Sequence, residues 1–293
     1  MKVLVLGGAS LDEIVRLPKL PEPKPQTLFA PSYTTIGSTG VGKALALAKL
    51  GFDVTLHILV GDDDAGKRIV GELQSAGIRL LVDPSLQTER HVNLIDGSGN
   101  RISIFTASVD QAPVLNKTAL HAAIQAADLV VANIVPYVRE LLPLVQAADK
   151  PIWTDLHDYE DNNPYYEPFI QASEAIFLSG DRLKDPSNVA KRLLGNDKRF
   201  VVVTLGKDGS ELFERDRPMT YEPILSHFPF VDPSGAGDSY FAGFLYGVTR
   251  GRTPREAMID ATISGGSAVA TTSIVNESLS STMLEEIRAN DYE

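Results

Sequence analysis

The sequence predicts an α/β fold: a doubly wound, mostly parallel central sheet with helices on both faces, and a small β lid beside it. Three observations carry that reading. Short β-branched, apolar runs alternate with helix-length patterns along most of the 293 residues. The runs are apolar on successive residues, as strands covered on both faces must be. Two stretches break the rhythm, one rich in proline and one patterned as a hairpin.

Candidate strands lie at 3–6, 54–59, 129–132, 152–154, 175–178 and 200–205. Helix patterns fall between and after them, at 44–50, 65–76, 117–126, 188–194, 239–248 and 254–270. Gly51, Gly77 and Gly195 follow three of these directly, and glycine just past a helix end supplies the left-handed cap. Such alternation builds layered sheets with right-handed crossovers. Residues 12–36 instead hold five prolines and no helical period. Residues 91–95 and 101–105 flank Asp96-Gly97-Ser98-Gly99-Asn100, with Val92 and Leu94 on one face and Ile102 and Ile104 likewise. A glycine-containing turn between alternating strands is a hairpin signal. Both insertions read as one lid subdomain, formed discontinuously by 12–36 and 90–106 within a single domain over 1–293.

Composition narrows the chemistry. The net charge of −11 opposes nonspecific binding to nucleic acid or anionic membrane. Without cysteine there is no disulfide, thiolate zinc, iron–sulfur ligation or thiol nucleophile, which is compatible with a reducing cytoplasm. The closest histidines, His91 and His121, stand 30 residues apart, so no local histidine metal motif exists. The apolar run at 3–9 is too short to span a bilayer and is followed by Asp12 and Glu13, so it reads as a first strand. A cytoplasmic protein is expected.

The most informative segment is Val231-Asp232-Pro233-Ser234-Gly235-Ala236-Gly237-Asp238-Ser239. Gly-Ala-Gly lets the backbone turn tightly and present its amides at a helix start, where free N–H groups and the positive dipole end favour an anion. Asp238 falls in the first turn. A carboxylate beside a bound anion is unfavourable, unless it takes a proton from an attacking hydroxyl. The plainer alternative is an ordinary helix start with Asp238 complementing the dipole.

This run resembles the C-terminal signature of the PfkB family of carbohydrate kinases, with the ribokinase-like fold, written Asp-Thr-x-Gly-Ala-Gly-Asp. Other family segments follow in order: Gly7-Gly8-Ala9-Ser10-Leu11-Asp12, Gly37-Ser38-Thr39-Gly40-Val41-Gly42-Lys43-Ala44, Val60-Gly61-Asp62-Asp63-Asp64 and Val203-Thr204-Leu205-Gly206-Lys207-Asp208-Gly209. The resemblance implies an ATP-dependent kinase acting on a primary hydroxyl of a small sugar, polyol or nucleoside. It implies Asp238 as catalytic base, with Gly235, Ala236 and Gly237 holding the transferring charge. It places substrate at Asp12, Ser38, Thr39, Gly40 and Gly42, and ATP at Thr204, Gly206, Gly235 and Gly237. It also implies magnesium near Asp181 or Asp155, potassium near Asp232 and Ser234, and pairing of two copies through the lid. The alternative is a noncatalytic ligand-binding or regulatory relative of the same fold.

The departures are equally specific. Ser38, Thr39 and Gly42 stand where the family has its second glycine, its lysine and its substrate-binding asparagine. The family's Asn-x-x-Glu, expected near Phe177-Leu178-Ser179-Gly180-Asp181-Arg182, has neither residue in place. A rival reading takes Gly37 to Lys43 as a P-loop by its GxxxxGK spacing. That motif needs a buried strand before it and Ser or Thr after the lysine, whereas Ala44 follows here. Asp62-Asp63-Asp64 reads as a helix cap rather than a calcium loop.

Overall fold

The structure is a computed structural model that describes residues 1–195 and 197–292. The chain begins β1 (Lys2–Leu6), β2 (Ser10–Leu17), β3 (Ser32–Gly37), α1 (Thr39–Lys49), β4 (Asp53–Val60), α2 (Asp64–Ser75) and β5 (Arg79–Pro84). It continues with β6 (Glu89–Asp96), β7 (Arg101–Ala107), α3 (Lys117–Ala126), β8 (Leu129–Asn133), α4 (Pro136–Ala147), β9 (Ile152–Asp155) and α5 (Glu167–Ala172). Then come β10 (Ala175–Ser179), α6 (Pro186–Leu194), β11 (Phe200–Thr204), β12 (Ser210–Glu214), β13 (Thr220–Glu222), α7 (Ala236–Thr249), α8 (Pro254–Val269) and α9 (Ser281–Asp291).

β1 shows how the main sheet forms. Val3 and Val5 enter one core with α1, α2, α7 and α8, while Leu4 and Leu6 enter another with α3, α4, α5 and α6. A strand apolar on both faces stays in place only between two helical layers. The nine strands run in the order β13-β12-β11-β10-β9-β8-β1-β4-β5. Pairing is parallel from β5 across to β11, then antiparallel through β12 and β13 at one edge. Trp153, Phe177 and Phe200 from three neighbouring strands pack against Phe241 and Phe244 of α7, and so seat that helix firmly on the sheet.

The second sheet has the order β3-β2-β6-β7. β2 pairs antiparallel with β3 and parallel with β6, and β6 closes the expected hairpin with β7. Register sorts its two faces, because directly opposed residues share one. Asp12 lies opposite His91, which lies opposite Phe105; Val15 lies opposite Leu94, which lies opposite Ile102. The apolar side chains anticipated on one face are therefore turned away from Asp12.

Two predicted details shift and a third holds. α1 starts at Thr39 rather than 44, because Gly40 and Gly42 are helical here despite their poor propensity. A Cβ on Gly40 would sit 2.5 Å from Gly8 O, so the close approach of α1 to the chain after β1 requires glycine. α4 was hidden by Pro143, which is tolerated because Tyr137, Val138, Leu141, Leu142 and Val145 bury one face of the helix. The cap reading of the aspartates holds: Asp63 accepts from Gly66 N at 2.9 Å and Thr88 N at 3.0 Å.

Candidate active site

α7 begins at a left-handed Gly235, with φ of 76°. A Cβ there would meet Ile274 O at 1.8 Å, so glycine is obligatory on two counts. Of the three predicted anion donors, Ala236 N–H is already bonded to Pro233 O at 3.2 Å. Gly237 and Asp238 lie in the first turn, where no earlier helical carbonyl reaches their N–H groups. The α-carbon of Gly237 faces open space.

Asp238 is buried, and its carboxylate is gripped by a side chain that the sequence shows only within the first family segment and the rival P-loop spacing, with no role of its own. Lys43 Nζ donates to Asp238 Oδ1 at 2.5 Å and lies 2.9 Å from Asp155 Oδ2. It has no solvent exposure at all. Burial opposes the ammonium, but Asp155 and Asp238 outweigh it and raise the Lys43 pKa. Burial pushes the Asp238 carboxyl above its ordinary range even with Lys43 beside it, which suits a proton acceptor. Burial also works against the Asp155 carboxylate, yet His157 and Lys43 bring its pKa to about 2. The P-loop reading fails on this geometry. Residues 39–43 are helix, and the lysine points into the core rather than toward a phosphate cradle.

Asp155, His157 and Asp238 bring ligand atoms within 4.8 Å of one another. The Lys43 ammonium already sits among them, so a magnesium ion held there would face a fixed positive charge. The cluster does not fit a resident metal. Asp181 is exposed, in the turn after β10, its N–H bonded to Ser179 Oγ at 3.2 Å.

Asp12 approaches from the small sheet. Its Oδ1 accepts from Ser10 Oγ at 2.6 Å and contacts His91 Nδ1 at 3.1 Å, while Asn93 donates to Oδ2 at 3.2 Å. The bare α-carbon of Gly37 leaves room for that carboxylate, since a Cβ would lie 2.4 Å from Oδ2. Ser38 follows with φ of 77° and ψ of 154°, a conformation glycine adopts freely, at the position where the family has glycine. Thr39, Gly40 and Gly42 fall within α1, not in a loop. Burial would lower the His91 pKa, but bonds to Asp12 and Glu89 raise it to about 9. A raised histidine contributes fully below its unfolded pKa of roughly 6.5 and is lost as pH climbs through the folded value. Because the charged His91 holds Asp12 Oδ1, the side chain expected to orient substrate hydroxyls, affinity for the hydroxyl substrate is expected to weaken as pH rises through about 9. The trend should vanish in H91Q; a KM–pH profile unchanged by that substitution contradicts it.

Arg16 of β2 reaches across to Asp232, and the two form an ion pair whose carboxylate is buried and whose guanidinium is half-buried. Asp232 Oδ1 also accepts from Ser234 N at 2.7 Å. The guanidinium thus stands where a monovalent cation was expected, and Asp232 does not fit potassium. Activity in choline chloride is expected to match that in potassium chloride within about twofold (roughly 0.4 kcal/mol). A larger potassium stimulation would show that Arg16 leaves. On the opposite side, Thr204 ends β11 and Gly206, with φ of 56°, opens a short 3-10 turn to Asp208. Sequence reasoning missed Lys43, His91, Asn93 and Arg16 as site residues.

With its doubly wound sheet and a buried carboxylate in the first turn of α7, the chain is a phosphotransferase with an alcohol group as acceptor. Residues 2–282 match the pfkB family carbohydrate kinase, and the chain belongs to that family, whose members use ATP as co-substrate. It is similar to the acarbose 7(IV)-phosphotransferase of Actinoplanes sp., 31% identical over 257 residues and covering 84% of each chain. The ribokinase of Bacillus subtilis is 26% identical over 273 residues, 87% of this chain and 88% of its own. Among solved structures, a microbiome-derived acarbose kinase, Mak1, superposes with a TM-score of 0.89 at 29% identity, covering 98% of this chain and 99% of its own.

Proposed function

We propose that this kinase transfers the γ-phosphoryl group of ATP to a primary hydroxyl of a carbohydrate, with Asp238 as general base. The observation that carries this is Asp238 itself, buried with a raised pKa beside first-turn amides. Its Oδ2 removes the hydroxyl proton as the oxygen attacks phosphorus and ADP departs. The N–H groups of Gly235 and Gly237 meet the charge that develops on the phosphoryl oxygens, the larger part of catalysis in such transfers. Asp12 orients substrate hydroxyls, and Thr204 and Gly206 line the nucleotide site. Magnesium enters with the ATP phosphates rather than on Asp155. The small sheet closes over substrate and excludes water that would otherwise accept the phosphoryl group.

An acarbose-type carbohydrate is favoured over a nucleoside. Two similar proteins carry that name, and Phe105, 62% exposed on the Asp12 face, offers a flat apolar surface for a second ring. ADP release should be measured over acarbose, maltose-series sugars, ribose, polyols and nucleosides, with magnesium and with excess chelator. Turnover confined to nucleosides would reject the carbohydrate reading. No turnover of any acceptor would favour a binding or regulatory role.

A reaction that consumes ATP supports a cytoplasmic setting. The far face of the small sheet presents Ile102 and Ile104, 41% and 45% exposed, beside Val92 and Leu94. A second copy packed there, sheet to sheet, would cover them. The double variant I102E/I104E is expected to halve the light-scattering mass while leaving substrate affinity intact, because these side chains point away from Asp12. An unchanged mass sinks the dimer.

A further inference from the structure

We propose that Gly42 and Lys43 act as one device that positions Asp238 for proton transfer, making Lys43 a positioning residue of the phosphoryl-transfer step. The inference rests on the reading of Asp238 as base and adds a residue to it. Gly42 and Lys43 are neighbours on α1, and each addresses a different oxygen of the same carboxylate. Lys43 Nζ holds Oδ1 at 2.5 Å. A Cβ on Gly42 would lie 2.1 Å from Oδ2, so only glycine leaves that oxygen its place. One oxygen is fixed by a hydrogen bond and the other stands over a bare α-carbon. The carboxylate is thereby set in a single orientation, with Oδ2 free of Lys43 for the incoming hydroxyl.

The departure at position 42 fits the pairing. Glycine stands where an asparagine is usual, and with Lys43 holding Oδ1 the Asp238 Oδ2 occupies the space a side chain there would need. The lysine follows at once because the helix turn carries position 43 toward Asp155 and Asp238 together. Its ammonium has no route to solvent, so its hydrogen bonds are spent within this cluster.

Charge bookkeeping gives the device a direction. Before reaction, one ammonium lies between two carboxylates, leaving a single negative charge next to the incoming phosphates. When the substrate O–H bond breaks and its proton passes to Asp238 Oδ2, the new O–P bond forms and the bond to the ADP oxygen breaks. Lys43 and Asp155 then remain as a balanced pair. Proton transfer thus removes the surplus charge instead of creating one.

The test is a double-mutant cycle on the full chain, reading kcat and KM for ATP and the best acceptor. K43M is expected to lower kcat at least 30-fold with both KM values within threefold. Its decisive partner is K43M/D238N, which should be no slower than D238N alone, because a residue acting through Asp238 has nothing left to act on. K43M/D155N keeps the cluster's net charge and guards against a folding failure; it should remain slow with unaltered KM. G42A should show the same kcat loss through crowding of Oδ2. A D238N enzyme as fast as the parent would overturn the general-base reading itself. With D238N slow, three results would overturn the positioning role alone. They are parent-like kcat in K43M/D155N, a full further loss in K43M/D238N, or parent-like kcat in G42A.

Discussion

Asp238→Asn is expected to retain the fold and both substrate affinities while losing ~10²–10⁴ in kcat, the usual cost of a missing general base. The substitution is nearly isosteric, and an asparagine oxygen can still accept from Lys43 Nζ at the position of Oδ1. What it loses is the capacity to take a proton. Burial has already lifted this carboxyl above its ordinary range, so the parent accepts the hydroxyl proton more readily than an exposed aspartate would. Steady-state kinetics with ATP and the preferred acceptor, alongside calorimetric binding of each, checks the split. Turnover within threefold of the parent, a difference of roughly 0.7 kcal/mol, would mean that another group removes the proton.

Much of this arrangement was legible before any coordinates, and the reasons are physical. Strands such as β1 and β11 announce themselves because a parallel strand buried on both faces must be apolar on consecutive residues. The Gly235–Asp238 turn is equally local. Its left-handed glycine, first-turn amides and carboxylate all lie within four residues, so the turn and helix start show in the sequence itself. Lys43 was not legible in that way. Its partners are 112 and 195 residues further on, and a lysine inside a helix ordinarily reads as solvent-exposed. Only the folding of β9 and α7 beside α1 reveals that it is completely buried. Arg16 was hidden for the same reason, since its pairing with Asp232 joins the small sheet to the start of α7 across 216 residues. Register decided the small sheet. Alternation placed Val92, Leu94, Ile102 and Ile104 together, but which face meets the substrate depends on where Asp12 pairs with His91.

Gly235→Ala should damage both stability and turnover, and comparison with Gly237→Ala separates the two causes. At Gly235 the backbone holds φ of 76°, a region where a side chain costs roughly 1–2 kcal/mol. The added Cβ would also press to 1.8 Å from Ile274 O, a backbone atom that cannot swing aside as a side-chain tip would. Either the 271–275 segment moves or the loop before α7 does. Moving that loop displaces the amides proposed to meet the phosphoryl group, and a shift of about 1 Å in such groups can cost ~100-fold in rate. At Gly237 the added methyl meets nothing within 4 Å, and alanine suits a first helical turn better than glycine. G237A should therefore melt at or above the parent temperature, and any loss of kcat would come from crowding the phosphoryl group alone. G235A should melt several degrees lower and turn over ~100-fold more slowly. Thermal melts and kcat on both variants decide the matter. A G235A protein with the parent's melting point and turnover would mean that the loop before α7 adapts freely, and the anion site would then owe nothing to its left-handed glycine.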